Sequence, residues 1–229
     1  MASRRKIAIV SLGVLAGFAL FFKAGQLGLR QIPFFQIRQV ELVGVRFLAP
    51  DALIRAMELP GEVNLFDDHS ESQLKLKSVG GVVEVELKRK LPGTLRVMVV
   101  ERVPVAFAPG PAGLIALDER ARPLPYDAAD GGLDLPIVAN ADTTLIGVVA
   151  TVQLADPTLY EQAEWIEFNG NGVVRVVTEE HVILFTSEPT VGDVHAVQAV
   201  RQHVLATGET YNEFDARFGG WVVVRRTQA

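Results

Sequence analysis

The stretch that decides the fold reads Val83-Glu84-Val85-Glu86-Leu87-Lys88. Its apolar and charged residues alternate, which is typical of a strand that buries one face and exposes the other. A turn sequence follows at Leu91-Pro92-Gly93-Thr94, and Leu95-Arg96-Val97-Met98-Val99 indicates a second strand. Residues 83–99 are therefore predicted to form a β-hairpin.

Upstream of this hairpin, the sequence predicts one strand and two helices. Residues 36–43 alternate closely enough to predict a strand. A helix is predicted from Asp51 to Glu58, where three apolar residues line one side: Leu53, Ile54 and Met57. A second helix is predicted to begin near Ser70, because Ser70-Glu71-Ser72-Gln73 has the form of a capping box. The order of elements from Phe34 to Ala106 is thus β-α-α-β-β.

This block resembles a POTRA domain, and together with the flanking chain it is similar to the FtsQ/DivIB family of bacterial division proteins. The matching stretches are Phe35-x-Ile37-x-x-Val40-x-Leu42-x-Gly44, Gly61-x-x-Asn64-Leu65-Phe66, Val82-x-x-Val85-x-Leu87-x-Arg89-x-x-Pro92-x-Thr94-Leu95 and Glu101-Arg102-x-Pro104-Val105-Ala106. The chain departs from the family at Gly80-Gly81, where Leu-Pro usually stands. The motif residues that the resemblance implies are Gly44, Asn64, Phe66, Pro92, Glu101, Arg102 and Pro104.

The resemblance also implies how the chain is divided. It predicts an α+β fold with a cytoplasmic tail at residues 1–6 and a transmembrane helix at residues 7–29. A POTRA domain follows at residues 34–104. Residues 105–229 then form a second, mixed α/β domain of the FtsQ type, whose antiparallel sheet ends in an edge strand.

The N-terminal segment carries the pattern of a membrane anchor. The residues from Ile7 to Phe22 are uncharged, and Arg4-Arg5-Lys6 and Lys23 flank them. Continuing to Leu29 gives a helix long enough for a hydrocarbon core of about 30 Å, provided that Lys23 reaches the headgroups. The alternative is a cleaved signal peptide, although no A-x-A pattern follows the apolar run. The basic cluster predicts that the N-terminus stays inside and that the chain after Arg30 lies outside.

The composition limits the possible classes of function. The chain has no cysteine, which excludes disulfides, cysteine metal sites and thiol nucleophiles. Residues 1–30 carry five basic and no acidic side chains, whereas the remainder carries 17 basic and 27 acidic ones, a formal charge of −10. Nucleic-acid binding is not expected, because it needs a concentrated basic surface.

The second half of the chain alternates between helical and strand patterns. Helices are predicted at residues 143–154, 159–164 and 193–205, and strands at 163–168, 173–177 and 181–185. The turn Asn169-Gly170-Asn171-Gly172 is typical of a hairpin. Gly219-Gly220 separates two further β-rich runs at the end of the chain and predicts another hairpin there.

Three patterns of possible catalytic or metal chemistry have simpler structural interpretations. Ser72-Gln73-Leu74-Lys75 matches the S-x-x-K of penicillin-interacting enzymes, but the S-D-N and K-T-G elements that accompany it are absent. Asp67-Asp68-His69 could ligate a metal, although acids before a helix more often cap it. The remaining histidines are too dispersed for a ligand set: His181, His195 and His203. No catalysis and no cofactor are predicted.

The last predicted strand is a candidate interaction site. It is apolar, and only Arg225 to Ala229 follow its core, so it is predicted to form an exposed sheet edge. Such an edge can take an extended partner segment by β-augmentation, with aromatic side chains as anchors. The alternative is an internal strand that is paired on both sides. The predicted partner-binding residues are Phe218, Trp221, Val222, Val223, Val224 and Arg225.

The resemblance implies a non-catalytic division scaffold in the cell membrane, enriched at the septum. It implies an FtsB-like partner, in complex with an FtsL-like protein, at the terminal strand. It also allows for other membrane-anchored division proteins as partners of the POTRA domain and the transmembrane helix. Two alternatives remain at this stage. One is a POTRA protein of another assembly pathway, for which the sequence lacks barrel strands. The other is a membrane-anchored cell-wall hydrolase, for which it lacks a nucleophile or metal set.

Overall fold

The computed structural model describes residues 28–29, 31–126 and 132–226. The chain forms two compact units, which meet in the sequence between Glu101 and Arg102. The predicted tail and nearly all of the predicted transmembrane segment, including Ile7 and Phe22, lie outside the described residues. Within the part of the chain that is described, no helix is both long and apolar enough to cross a membrane.

In its described residues, the first unit is a three-stranded sheet with two α-helices and a short 3-10 helix at Pro33–Phe35. Its strands are β1 (Gln39–Val43), β2 (Val82–Lys90) and β3 (Thr94–Glu101), and its helices are α1 (Pro50–Met57) and α2 (Ser70–Ser78). β3 lies in the centre, parallel to β1 and antiparallel to β2. The predicted β-α-α-β-β order and the predicted β2–β3 hairpin are confirmed.

Apolar side chains from both helices and from β3 form the core of this unit. The fully buried ones are Leu53, Met57, Leu65, Leu76, Leu95 and Val97. The placement of Ile54 on the buried stripe is wrong, because it is exposed. Successive residues of a helix point about 100° apart, so Met57 shares the buried side with Leu53, whereas Ile54 turns away from it.

Two details of the predicted local pattern are also wrong. Helix α2 begins at Ser70 as predicted, but no capping box forms there, because Ser70 is already the first helical residue. The Gln73 side chain instead donates a hydrogen bond to the Val85 carbonyl, at 2.7 Å. The alternation in β2 is interrupted by a bulge between Val82 and Glu84, which leaves Val83 exposed.

The loop after β1 is held to the end of β3 by two features. Gly44 has a φ of +86°, and a Cβ atom there would lie 2.3 Å from the Val99 carbonyl oxygen. The Glu101 carboxylate accepts hydrogen bonds from three successive backbone N–H groups at 2.9, 2.9 and 3.0 Å, those of Arg46, Phe47 and Leu48. Both features place the loop directly against β3.

The second unit is a nine-stranded sheet with three helices. Its first strands are β4 (Ala106–Gly110), β5 (Gly113–Leu117), β6 (Pro123–Leu124) and β7 (Ile137–Val138). The helices are α3 (Thr143–Ala155), α4 (Pro157–Gln162) and α5 (Val191–Thr207). The remaining strands are β8 (Ala163–Phe168), β9 (Val173–Thr178), β10 (Val182–Thr186), β11 (Glu213–Asp215) and β12 (Val223–Arg225).

The sheet of the second unit is mixed, so the prediction of an antiparallel sheet is wrong. Its strand order is β12-β11-β10-β9-β8-β7-β4-β5-β6. β10 and β11 run parallel because α5 crosses over between them, and β7 and β8 run parallel because α3 and α4 connect them. β4 also pairs with β7 in parallel.

The helices cover one face of this sheet. Buried residues of α3 and α5, including Ile146 and Val197, share a cluster with strand residues such as Ile183, Phe185 and Phe214. The three predicted helices are present with shifted ends. The second of them ends at Gln162, because β8 begins at Ala163.

Replacing Gly44 with Ala should lower the free energy of unfolding of the first unit. The added Cβ would collide with the Val99 carbonyl and force a positive φ on an L-residue, a cost of about 2–4 kcal/mol. Gly61→Ala is the matched control, because nothing lies within 4 Å of its Cβ position and its φ is not positive. Urea unfolding followed by circular dichroism measures both. Equal stability of the two variants would contradict this role of Gly44.

Candidate functional site

The last strand lies at one end of the large sheet. β12 pairs antiparallel with β11, and its register aligns Glu213 with Arg225, Phe214 with Val224 and Asp215 with Val223. Among the described strands, β12 has no neighbour on its other side. The predicted terminal hairpin is present, although its strands contain only three residues each and residues 216–222 connect them.

A buried carboxylate fixes β12 to the sheet. Asp215 is fully buried, and it accepts hydrogen bonds from Arg217 Nε at 2.7 Å and from Arg217 Nη2 at 2.6 Å. Arg225 of β12 reaches the same carboxylate at 3.2 Å and contacts Glu213 at 2.6 Å. The hydrogen bonds from Arg217 lower the pKa of Asp215 and keep it charged. The predicted binding residue Arg225 is therefore engaged within the sheet.

A second carboxylate fixes the connection between β11 and β12. Asp193 forms a capping box with Thr190 at the start of α5, and its other oxygen accepts a hydrogen bond from the Gly220 N–H at 2.9 Å. Gly219 and Gly220 both have positive φ, which the chain needs to turn there. Asp193 was not among the predicted site residues, although the spacing of Thr190 and Asp193 is that of a capping box.

The predicted binding residues fall into two groups around this hairpin. Phe218, Trp221 and Val223 are exposed, with 51%, 78% and 43% of their surface accessible. Val222 and Val224 point the other way and pack partly against the hydrophobic core. The exposed group thus presents large apolar side chains to solvent beside the outer backbone of β12.

Two of the other sheet edges, those of β6 and β2, are protected. The opposite end of the large sheet is β6, which has two residues and begins with Pro123, a residue without a backbone N–H. In the first unit, β2 carries alternating charges and a bulge, and the Gln73 side chain already occupies the Val85 carbonyl. These are ordinary ways of protecting an edge, and β12 has neither a proline nor a bulge.

A cleft of about 460 Å³ borders β11 on its helical side. His181 and Phe214 lie in its wall in an edge-to-face contact, with a centroid distance of 5.1 Å. Tyr211 also lines the cleft, and its ring stacks under the Arg226 guanidinium at 5.1 Å. Because Arg226 directly follows β12, the cleft lies beside the edge strand.

The predicted POTRA motif residues occupy structural positions in the first unit and at the start of the second. The buried Asn64 side chain accepts a hydrogen bond from the Phe66 N–H at 3.0 Å. The Phe66 ring contacts Phe35 edge to face. Pro92 lies in the β2–β3 turn and Pro104 is buried. Arg102 Nη1 lies 3.5 Å from the buried Asp118 carboxylate. Gly44 and Glu101 hold the loop after β1.

The residues considered for catalysis or metal binding have structural roles. Ser72 is buried in α2, and Lys75 forms ion pairs of 2.8 Å with Glu58 and Glu71. These carboxylates raise the pKa of Lys75, whereas a catalytic base would need a lowered one. Asp67 and Asp68 accept hydrogen bonds from the backbone N–H groups of Asn64 and Ser70.

The histidines do not converge. His181 packs on Phe214, while His195 and His203 are exposed on α5. Across the described ranges, no three potential metal ligands come together.

Asp215→Asn should destabilise the second unit in a pH-dependent manner. Losing the charged hydrogen bonds should lower the free energy of unfolding by about 2 kcal/mol at pH 7. Because the folded-state pKa is lowered, this stabilisation is complete above the unfolded pKa of about 3.9 and is lost as the pH falls through the folded value. The two proteins should therefore converge in stability at low pH.

Urea unfolding between neutral and acidic pH measures this difference. Asp134→Asn, which removes an exposed carboxylate of the same unit, should change the stability by less than about 0.5 kcal/mol. A stability difference between wild type and Asp215→Asn that does not vary with pH would rule out the ion pair as its source.

Comparison with known proteins gives the first unit its family. Residues 35–102 match the family model described as POTRA domain, FtsQ-type. Two similar proteins, each named Cell division protein FtsQ, come from Chloroflexus aurantiacus and Chloroflexus aggregans. They are 32% and 33% identical over 73 residues, which is 32% of this chain.

The match covers 27% of each relative, so the chain spans about a quarter of the length of the curated relatives it matches. The family model covers residues 35–102, which include Gly44, Asn64 and Glu101, the residues that hold the loops around the three-stranded sheet. The resemblance seen in the sequence is thus confirmed over this region, and residues 35–102 are a POTRA domain of the FtsQ type.

Proposed function

We propose that the chain is a non-catalytic scaffold of bacterial cell division, anchored in the cell membrane by its N-terminal segment and enriched at the septum. The FtsQ-type POTRA domain and the names of the two relatives, both cell division proteins, support this role. Its partners are an FtsB-like protein in complex with an FtsL-like protein. Further membrane-anchored division proteins would bind through the POTRA domain or the anchor.

The observation that carries the proposal is the one-sided pairing of β12. A partner segment in extended conformation adds to this strand as the next strand of the sheet and pairs with its outer backbone groups. The exposed side chains of Trp221 and Phe218 lie beside the strand and anchor the partner. The buried Asp215 keeps the strand in place before the partner arrives, so little ordering is needed on binding.

The short strand explains why the anchor matters for the function. Each added backbone hydrogen bond contributes about 0.5–1.5 kcal/mol, so three residues of β12 provide a weak interaction by themselves. Confinement of both partners to one membrane raises their effective concentration and compensates for this weakness. The cleft beside β11 offers further contact area to the same partner.

Charged substitutions at the exposed aromatic residues should abolish partner capture. Trp221→Glu and Phe218→Glu place an ion where an aromatic anchor would be desolvated, so the FtsB-like and FtsL-like proteins should no longer co-purify with the full chain. Leu154→Glu is the matched control, because Leu154 is 76% exposed on α3 and should not affect capture. Circular dichroism verifies that all three variants are folded. Undiminished capture by the Trp221→Glu and Phe218→Glu variants would contradict the edge-strand mechanism.

A further inference from the structure

A basic and partly apolar surface lies where the chain enters the POTRA domain. This entry surface consists of Ile32, Phe34, Arg38, Arg89, Lys90 and Leu91. Its apolar side chains are exposed to 41%, 60% and 61% for Ile32, Phe34 and Leu91. Clustered exposed apolar residues on a domain surface usually mark an interaction site.

Hydrogen bonds join the two segments that form the entry surface. The Arg38 N–H donates to the Gly93 carbonyl at 2.8 Å, and Arg38 Nη2 donates to the Phe34 carbonyl at 3.1 Å. A Cβ atom at Gly93 would lie only 2.7 Å from the Gln36 carbonyl oxygen, which shows how closely the segments approach. The tip of the β2–β3 hairpin, with Leu91, therefore lies beside the entering chain.

The entering chain is also tied to the interior of the domain. Asn64, which is only 5% exposed, donates through Nδ2 to the carbonyls of Ile32 at 3.0 Å and Leu29 at 3.3 Å. The Leu65 N–H donates to the Phe35 carbonyl at 2.9 Å, and Gln36 forms a bridge with Asn64. Leu29 and residues 31–36 are thus part of the domain rather than a free linker.

The charge of this region is opposite to that of the rest of the chain. The first 40 residues contain no acidic side chain, and the hairpin tip contains Lys88, Arg89 and Lys90. Lys88 and Lys90 pair with Glu86 and Glu41.

Arg38 and Arg89 make contacts of a different kind from the ion pairs of Lys88 and Lys90. Arg38 donates to the Phe34 carbonyl. Arg89 donates to the Leu65 carbonyl, and its guanidinium lies 5.7 Å from the centroid of the Phe66 ring, so none of these contacts is an ion pair. Acidic side chains also lie on this part of the domain: Glu62 and Asp67 line a pocket beside Ile32, and Asp68 lines a second pocket together with Arg89. Asp67 accepts a hydrogen bond from the Asn64 N–H.

We infer that the entry surface rests on the outer face of an anionic bilayer and so fixes how the POTRA domain stands on the membrane. The inference rests on the proposed N-terminal anchor. The uncharged run that ends at Phe22 lies only seven residues before Leu29, the first residue whose carbonyl Asn64 holds. A domain tied this closely to a membrane span places its nearest surface at the headgroups. The side chains of Phe34 and Leu91 then enter the interfacial region of the bilayer, and the guanidinium groups of Arg38 and Arg89 contact lipid phosphates.

Spin labels test this placement, because the chain has no cysteine of its own. The full chain with Leu91→Cys or Phe34→Cys carries a nitroxide and is reconstituted into vesicles that contain phosphatidylglycerol. Val100→Cys is the control, since Val100 is 52% exposed and lies six residues after Thr94 along β3, about 20 Å from the hairpin tip. Collisions of the nitroxide with oxygen report lipid, and collisions with a water-soluble nickel complex report solvent.

We expect the labels at positions 91 and 34 to be several-fold less accessible to the nickel complex, and more accessible to oxygen, than the control label at position 100. The control label should remain in water. Vesicles of phosphatidylcholine alone should weaken the protection, because the arginines then lose their anionic partners. Equal aqueous exposure of all three labels in a membrane-inserted chain would overturn the inference and leave the anchor and the β12 site standing. A chain that does not insert at all would overturn both the anchor and this inference.

Discussion

The buried Asp215 carboxylate is the contact on which the terminal sheet edge depends. A hairpin whose two strands have only three residues each is too short to stay ordered through its own backbone hydrogen bonds. Arg217 and Arg225 supply the missing stability, because both guanidinium groups meet one carboxylate that is shielded from solvent. The result is a strand that is held firmly on its inner side and has no neighbour on its outer side among the strands that the structure describes.

Other elements of the second unit position β11, β12 and the segment that connects them. Helix α5 crosses over from β10 to β11 and places β11 parallel to β10, so that β12 pairs with the side of β11 that faces away from β10. Asp193, at the start of the same helix, holds Gly220 and thereby positions the segment that carries Phe218 and Trp221. The opposite edge is closed by Pro123. Among the described strands, the sheet therefore has one open end.

Local patterns in the sequence predicted much of the fold. The hairpin of β2 and β3 and the helices were recognisable because periodicity and turn chemistry act over short distances. The bulge at Val82 and the parallel pairing of β10 with β11 could not be recognised in the sequence, because they depend on contacts between residues far apart in the chain. The apolar character of the last strand was evident, whereas the engagement of Arg225 by Asp215 and Glu213 required the register between β11 and β12.

Amide hydrogen exchange in the membrane-anchored complex tests the central claim most directly. Exchange is compared in the free full chain and in the chain bound to its FtsB-like and FtsL-like partners. Pairing with a partner strand predicts slower exchange at Val223 to Arg225 and unchanged exchange at Leu124 on the opposite edge. Slower exchange confined to the POTRA domain, with β12 unchanged, would contradict it.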